Sequence, residues 1–278
     1  MTTNAIDAGP DGEHVVRGAD SQRSSYLKIA GQWAIAICAV GIFLVVYPLV
    51  FGKSKTLAYN WDFTILKPYL QSLTSGLLLT LQLTLICLVL SMILGVFVAA
   101  ARRSSFAPLR MFTAGYIEVM RSTPLLIQLV WIFYALPILT GIALPGYEAA
   151  VLALTVHMAA YFGEAFRAGI QAIPKEYLEA AHTLGLNAFD RARFVVLPIA
   201  VRNVLPVLVT LSLLLLKDTS LVSVLGINDL MNVGTNVALS TFKPLELLTT
   251  VGIVYLVVAL PLTIIVRKLE IRMAQRVV

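Results

Sequence analysis

Four long stretches of this chain carry no charged residue. Between Lys28 and Lys53 lie 24 uncharged positions, between Lys67 and Arg102 34, between Arg121 and Glu148 26, and between Glu246 and Arg267 20. A helix rises about 1.5 Å per residue and a bilayer core is ~30 Å thick, so roughly 20 apolar residues cross it. The 34-residue run would extend about 51 Å, and it is expected to begin as an interfacial segment near residues 69–75 before crossing. Two shorter uncharged runs, 149–163 and 203–216, need an ionisable residue at or near one end, and Glu164 and Lys217 stand there. Such residues are tolerated at an interface or facing a protein-lined cavity. Across the 278 residues, 59% are hydrophobic and 13% charged, whereas a soluble domain is about half apolar and roughly a quarter charged. The composition excludes a soluble globular domain and excludes disorder. It predicts an all-α polytopic membrane protein with about six transmembrane helices, near 30–51, 73–101, 112–137, 149–167, 201–221 and 247–267.

The net charge of +6 comes from 21 Lys and Arg against 15 Asp and Glu. With the N-terminus inside, the inner segments hold 15 of the basic residues and the outer segments four, Lys53, Lys55, Lys67 and Lys243. This asymmetry places both termini in the cytoplasm. Nucleic-acid binding explains the charge poorly, because the basic residues neither line one face nor alternate with aromatics. Residues 1–28 read as a cytoplasmic, flexible tail, too long and too acidic for the start of a signal peptide. Cys38 and Cys87 sit in apolar runs and have no metal-ligand spacing.

This topology makes residues 168–200 the longest inner loop. Pro174 suits a first helical turn and Gly185 a helix stop, which predicts a short helix over 175–184, a turn, and a second helix from 188. A helical hairpin on the membrane surface is a docking knob for another protein. Within it stand Glu179-Ala180-Ala181, then Gly185, Val195 and Leu197-Pro198. Two small alanines permit close approach by a partner and Glu179 offers a charged anchor. Gly185 allows the reversal, and Pro198 breaks or starts the next helix.

This set, at this spacing, resembles the EAA loop of the permease subunits of ATP-binding-cassette importers, with Val195 where the family prefers Ile. Three further stretches are similar to the polar amino acid uptake branch of the type I importers: Glu118 to Gln128 (with Ser122 for the usual Gly), Tyr161 to Ile170, and Lys217 to Leu221. The resemblance covers 72–270 as the permease domain. It leaves 29–71 as an added first helix with its external loop, and 271–278 as a cytoplasmic tail. It implies the type I importer transmembrane fold with a cytoplasmic coupling helix, in the bacterial inner membrane. It implies as partners a cytoplasmic ATPase dimer, a second permease copy or paralogue, an extracytoplasmic solute-binding protein and the bilayer. ATP and Mg would be held by the ATPase subunits, and this chain would bind no cofactor.

Other features are read more plainly. Phe51-Gly52-Lys53-Ser54 is no phosphate loop, because Tyr47 stands where the first glycine belongs. Glu118 and Arg121, and again Glu164 and Arg167, are three apart and can pair on one helix face, as part of a substrate path or as interface ion pairs. Lys217, Asp218, Thr219 and Ser220 put charges and hydroxyls where a span should be apolar, either toward substrate or between helices. His14, His157 and His182 lack partners at ligand spacing and suit packing or surface roles. Ser91, Gly95 and Ala99 form a small-residue stripe for close helix contact, which suits assembly with another subunit. There is no nucleophile–base constellation, so the chain reads as a transporter subunit rather than an enzyme. The rival reading is an ion-gradient-driven secondary transporter, but no internal repeat supports it.

Overall fold

The computed structural model describes residues 59–274, which are helical throughout apart from turns and short connections. The chain divides into two units, Met1–Trp61 and Asp62–Val278. Of the first, Tyr59 and Trp61 are described, their rings edge to face at 5.4 Å. The expected tail, the span at 30–51, His14 and Cys38 lie outside the described residues.

The second unit begins with a 3-10 segment, Phe63–Tyr69, which runs into α1, Leu70–Arg102. Then follow α2 (Ala107–Ser122), α3 (Leu125–Thr140), α4 (Gly146–Gln171), α5 (Lys175–Thr183), α6 (Ala188–Leu225), α7 (Leu230–Thr241) and α8 (Pro244–Ala274). Four segments are long and apolar enough to cross a membrane: Phe63–Arg102, Gly146–Gln171, Ala188–Leu225 and Pro244–Val266. The pair α2 and α3 makes a fifth if its 108° bend is counted within one span.

That bend departs from the single helix expected over 112–137. Thr123 precedes Pro124, and proline's ring drives the residue before it out of the helical region. Thr123 accordingly sits at φ −107° and ψ 142°, and Pro124 at ψ 132°. The absence of charge says nothing about such a break. Two π turns, Trp131–Ala135 in α3 and Ala192–Val196 in α6, each lie just ahead of a proline, Pro137 and Pro198. Proline clashes with the carbonyl four residues earlier, and widening the turn relieves that clash. Pro198 therefore does not interrupt α6, so the expected helix from 188 and the expected span at 201–221 are one helix. The connection after the expected span at 201–221 holds a helix, α7, that hydropathy did not signal.

The core is built around α4, which buries Ala149, Ala150, Ala153, Leu154, Met158 and Phe162. The stripe Ser91, Gly95 and Ala99 is buried against α4 of the same chain and not on an outer face, which corrects its assignment to subunit assembly. Ser91 Oγ donates to the Thr155 carbonyl at 3.3 Å. A Cβ on Gly95 would stand 2.7 Å from Phe162 Cβ, and one on Gly163 2.5 Å from Val98 Cγ1. Two glycines in register let the backbones of α1 and α4 approach, as helices in lipid require for dispersion contact. Cys87 is buried in this core. By contrast Leu78, Leu85, Val89 and Phe97 on α1 stay exposed, apolar side chains suited to lipid.

Candidate functional site

The hairpin expected from the loop is present, and its local chemistry explains it. Helix α5 starts after Pro174, which stands at the N-cap position with φ −58° and ψ 140° rather than inside the first turn. Glu176 in the first turn complements the helix dipole. Gly185 has φ +70°, the left-handed region where a Cβ is penalised. Its N–H donates to the His182 carbonyl at 2.9 Å, and the Leu186 N–H donates to the Ala181 carbonyl at 3.1 Å. Those two bonds form a Schellman stop. The next helix is capped at once: Asn187 Oδ1 accepts from the Asp190 N–H at 2.9 Å, and Asn187 Nδ2 donates to Asp190 Oδ2 at 2.6 Å.

The alanines of the motif have different fates. Ala180 is exposed, whereas Ala181 is buried inside the hairpin, where α5 packs on the turn 192–196. Close approach by a partner can therefore involve Ala180 but not Ala181. Glu179 is exposed, and its carboxylate makes no hydrogen bond or ion pair within the described residues, while its carbonyl accepts from Thr183 Oγ1 at 3.0 Å. Val195 is half-buried in the π turn, and Leu197 and Pro198 are exposed just after it. Sequence reasoning missed the large exposed apolar side chains of the hairpin. Tyr177 is 56% exposed, Leu184 78% and Phe189 69%. Large exposed apolar side chains on a surface hairpin suit contact with a partner. Their signal was large apolar residues in a loop expected on the membrane surface.

A second cluster gathers at the α2–α3 bend. The Gln128 amide donates to the Met120 carbonyl at 3.0 Å, the Thr123 carbonyl at 3.2 Å and Thr123 Oγ1 at 2.6 Å. Thr123 Oγ1 in turn donates to the Val119 carbonyl at 2.7 Å. With the amide nitrogen so committed, Gln128 Oε1 is the acceptor facing His157 Nδ1 at 2.9 Å, so that nitrogen carries the proton. His157, 5% exposed, thus holds the bend to α4, a structural role in keeping with the packing reading. One side chain thus bonds the carbonyls freed by the proline break.

Arg121 lies over the Tyr161 ring at 5.5 Å, a cation–π contact, and Glu118 accepts from Ser122 Oγ at 3.3 Å. Glu118 and Arg121 therefore do not form the ion pair their spacing allowed. Glu164 and Arg167 do pair, with Arg167 Nε donating to Glu164 Oε2 at 2.8 Å and a second bond joining Nη2 to Oε1. Arg121 and Arg102 also lie within electrostatic reach of Glu164, so the polar residues of α2 and α4 come together.

Lys217, Asp218, Thr219 and Ser220 stand apart from that group. They lie about 20 residues along α6 from Leu197, about 30 Å in a helix. Lys217 is exposed and Asp218 half-buried. Thr219 is fully buried and its hydroxyl donates to the Leu216 carbonyl at 2.7 Å, while Ser220 Oγ donates to the Lys217 carbonyl at the same distance. The two hydroxyls are spent where α6 tightens from α to 3-10 geometry.

Two buried carboxylates, unweighed in the sequence, order this end of the bundle. Asp229 caps α7, accepting from the N–H groups of Met231 at 3.2 Å and Asn232 at 3.0 Å. Thr80 Oγ1 of α1 accepts from the Leu230 N–H at 3.1 Å. Glu246 is wholly buried, accepts from the Asp62 N–H at 3.1 Å and stands 3.8 Å from Lys243 Nζ. Outside the spans, the carboxyl of Asp62 is held below its ordinary range, chiefly by the hydroxyl of Thr64 and then by its N–H.

Among the described residues, four or five segments long and apolar enough to span, one of them bent, define a multi-pass membrane protein that carries an exposed capped hairpin. Residues 91–275 match the binding-protein-dependent transport system inner membrane component family, and the chain belongs to it. It is 34% identical over 211 residues to the arginine transport system permease protein ArtQ of Bacillus subtilis, covering 76% of this chain and 96% of that one. It is 33% identical over 224 residues to the glutamate/aspartate import permease protein GltK of Escherichia coli, covering 78% of this chain and all of the relative. Among solved structures, an amino acid ABC transporter with histidines superposes at a TM-score of 0.72 with 33% identity, over 77% of this chain and 100% of that one. The MetNI methionine ABC transporter, at 21% identity and a TM-score of 0.60, shares the fold. The fold is that of the type I importer permeases.

Proposed function

We propose that this chain is the membrane-spanning permease subunit of an ATP-driven importer that moves a polar amino acid, or an amino-acid-like solute, across the bacterial inner membrane. The hairpin carries this reading. Its turn is locked by a Schellman stop and an Asn187 cap, and it exposes the Glu179 carboxylate together with Tyr177, Leu184 and Phe189. A rigid knob that exposes a carboxylate and large apolar side chains suits insertion into a groove on a cytoplasmic ATPase. The resemblance to permeases named for arginine and for glutamate/aspartate supports an amino acid cargo. Relatives for cargoes of opposite charge share this scaffold, so we assign selection chiefly to an extracytoplasmic binding protein.

Both termini lie in the cytoplasm in this scheme, and two permease copies, or this chain and a paralogue, enclose the path. ATP and Mg sit on the ATPase pair. Their closure draws the two hairpins together, and α6 carries that motion into the bilayer as one helix. A ligand that binds one state better supplies the free energy of the switch. The polar group of Glu118, Arg121, Glu164 and Arg167 lines or braces the path at the hairpin end, and Lys217 and Asp218 stand at the other.

The test is uptake by proteoliposomes holding the chain with its neighbouring ATPase and binding protein. ATP-dependent uptake, lost in Glu179→Lys, is the expected result. Uptake driven by an ion gradient without ATP would replace this reading with the secondary-transporter alternative.

A further inference from the structure

An apolar trough runs beside the hairpin. It consists of two adjoining hollows of about 430 and 490 Å³ that share Ile170, Leu197 and Ala200 as lining. One is walled by the last turns of α1, by Phe166 of α4 and by the first half of α6, and the other lies against Phe189 and the turn 192–196. Every lining side chain is apolar except two, Arg103 and Arg193. Both arginines are exposed and neither forms an ion pair within the described residues, although Arg193 Cζ lies 5.5 Å over its neighbour Phe194. No carboxylate lines either hollow.

The position matters as much as the chemistry. Arg103 closes the span Phe63–Arg102, and Arg193 lies in the first turns of Ala188–Leu225. These are the levels at which a span leaves hydrocarbon for headgroups, where arginine reaches outward while its stem stays in apolar contact. A trough of this size falls within the ~300–1,000 Å³ of small-molecule sites. Basic pockets between spanning helices attract anionic headgroups.

We propose that the trough seats an anionic phospholipid, its acyl chain along α1, α4 and α6 and its headgroup charge drawn by Arg103 and Arg193. This inference needs the membrane setting but not the transport reading, and its readout is lipid rather than uptake. A neutral lipid would fill the apolar part equally well but leave both arginines without a counter-charge. A second copy of the chain would have to bring a carboxylate to the same place.

The experiment is native mass spectrometry of the full-length permease, delipidated and then exposed to equal phosphatidylglycerol and phosphatidylcholine. Wild type is expected to retain phosphatidylglycerol about five-fold or more over phosphatidylcholine, since one arginine near an anionic headgroup accounts for about a five-fold change. Arg103→Gln with Arg193→Gln should bring the two lipids level. Ala100→Phe, at an exposed lining position, should lower retention of both. Unchanged melting temperatures in these variants confirm that the fold is intact. Equal retention of the two lipids by wild type, or retention unmoved by both variants, overturns the proposal. A disulfide formed between two copies carrying Ala100→Cys, with Cys38 and Cys87 replaced, would also overturn it, by placing a second subunit in the trough.

Discussion

Gln128 Oε1 accepts from His157 Nδ1 at 2.9 Å, a bond that, beside those of Tyr116 to the Val156 carbonyl and Arg121 over Tyr161, ties the broken α2–α3 element to the central helix α4. The same glutamine satisfies the carbonyls exposed by the Pro124 break. Replacing Gln128 by Ala removes all of the glutamine's bonds and strands polar groups away from water, which costs about 1–3 kcal/mol. The expected outcome for Gln128→Ala is a lower unfolding midpoint in detergent. His157→Phe should lose less, because the Gln128 amide still caps the bend. Equal midpoints for Gln128→Ala and wild type would remove this role.

Gly163 faces Val98 where α1 and α4 cross. A methyl there meets Val98 Cγ1 at 2.5 Å, so Gly163→Ala should destabilise by about 1–3 kcal/mol, the usual cost of overpacking. Val98→Ala removes Cγ1 but leaves Cβ at 2.9 Å, so the double variant should recover part of the loss. Folded yield and melting temperature across the four proteins measure the coupling. Strict additivity would mean that the two residues do not meet.

At Gly185 the backbone, not the neighbourhood, sets the requirement. No atom lies within 4 Å of a Cβ built there, yet φ is +70°. Left-handed geometry costs a branched residue about 1–2 kcal/mol, whereas Asn tolerates it. Gly185→Val should therefore loosen the hairpin and depress ATP-driven uptake, and Gly185→Asn should retain most of it. Indistinguishable uptake from the two variants would argue against the hairpin's geometry as the transmitting part.

Glu179 is expected to act by charge toward a partner rather than within the chain. Glu179→Gln should weaken co-purification of the ATPase and Glu179→Lys should abolish it, with the melting temperature of the isolated permease unchanged, because no intrachain bond is lost. A drop in that melting temperature would show a role in the fold.

Charge separation along the chain told where lipid ends and water begins, and so the expected spans 73–101, 149–167 and 247–267 lie inside observed helices. The hairpin was legible as well, because Pro174, Gly185 and Asn187 act locally through backbone geometry. What stayed hidden depended on partners distant in sequence. Ala181 and Ala180 read alike until one turned inward. Ser91, Gly95 and Ala99 announced a close contact without saying that α4 would make it. Helix α7 rests on an Asp229 cap and on Thr80, 150 residues away from Leu230, and its 12 residues are too few to register as a span. Pro124 was visible, but its effect on a long uncharged run was outweighed by the absence of charge.

The uninterrupted course of α6 has a mechanical corollary. Thirty-eight residues make a strut about 57 Å long, and its tightest seat is Val204, which would collide with any side chain on Gly169. Taking that seat as a fulcrum leaves arms of about 24 Å toward Ala188 and about 32 Å toward Leu225. A see-saw of those proportions would turn a small push at the hairpin into a swing about a third larger at the far end, in the opposite direction.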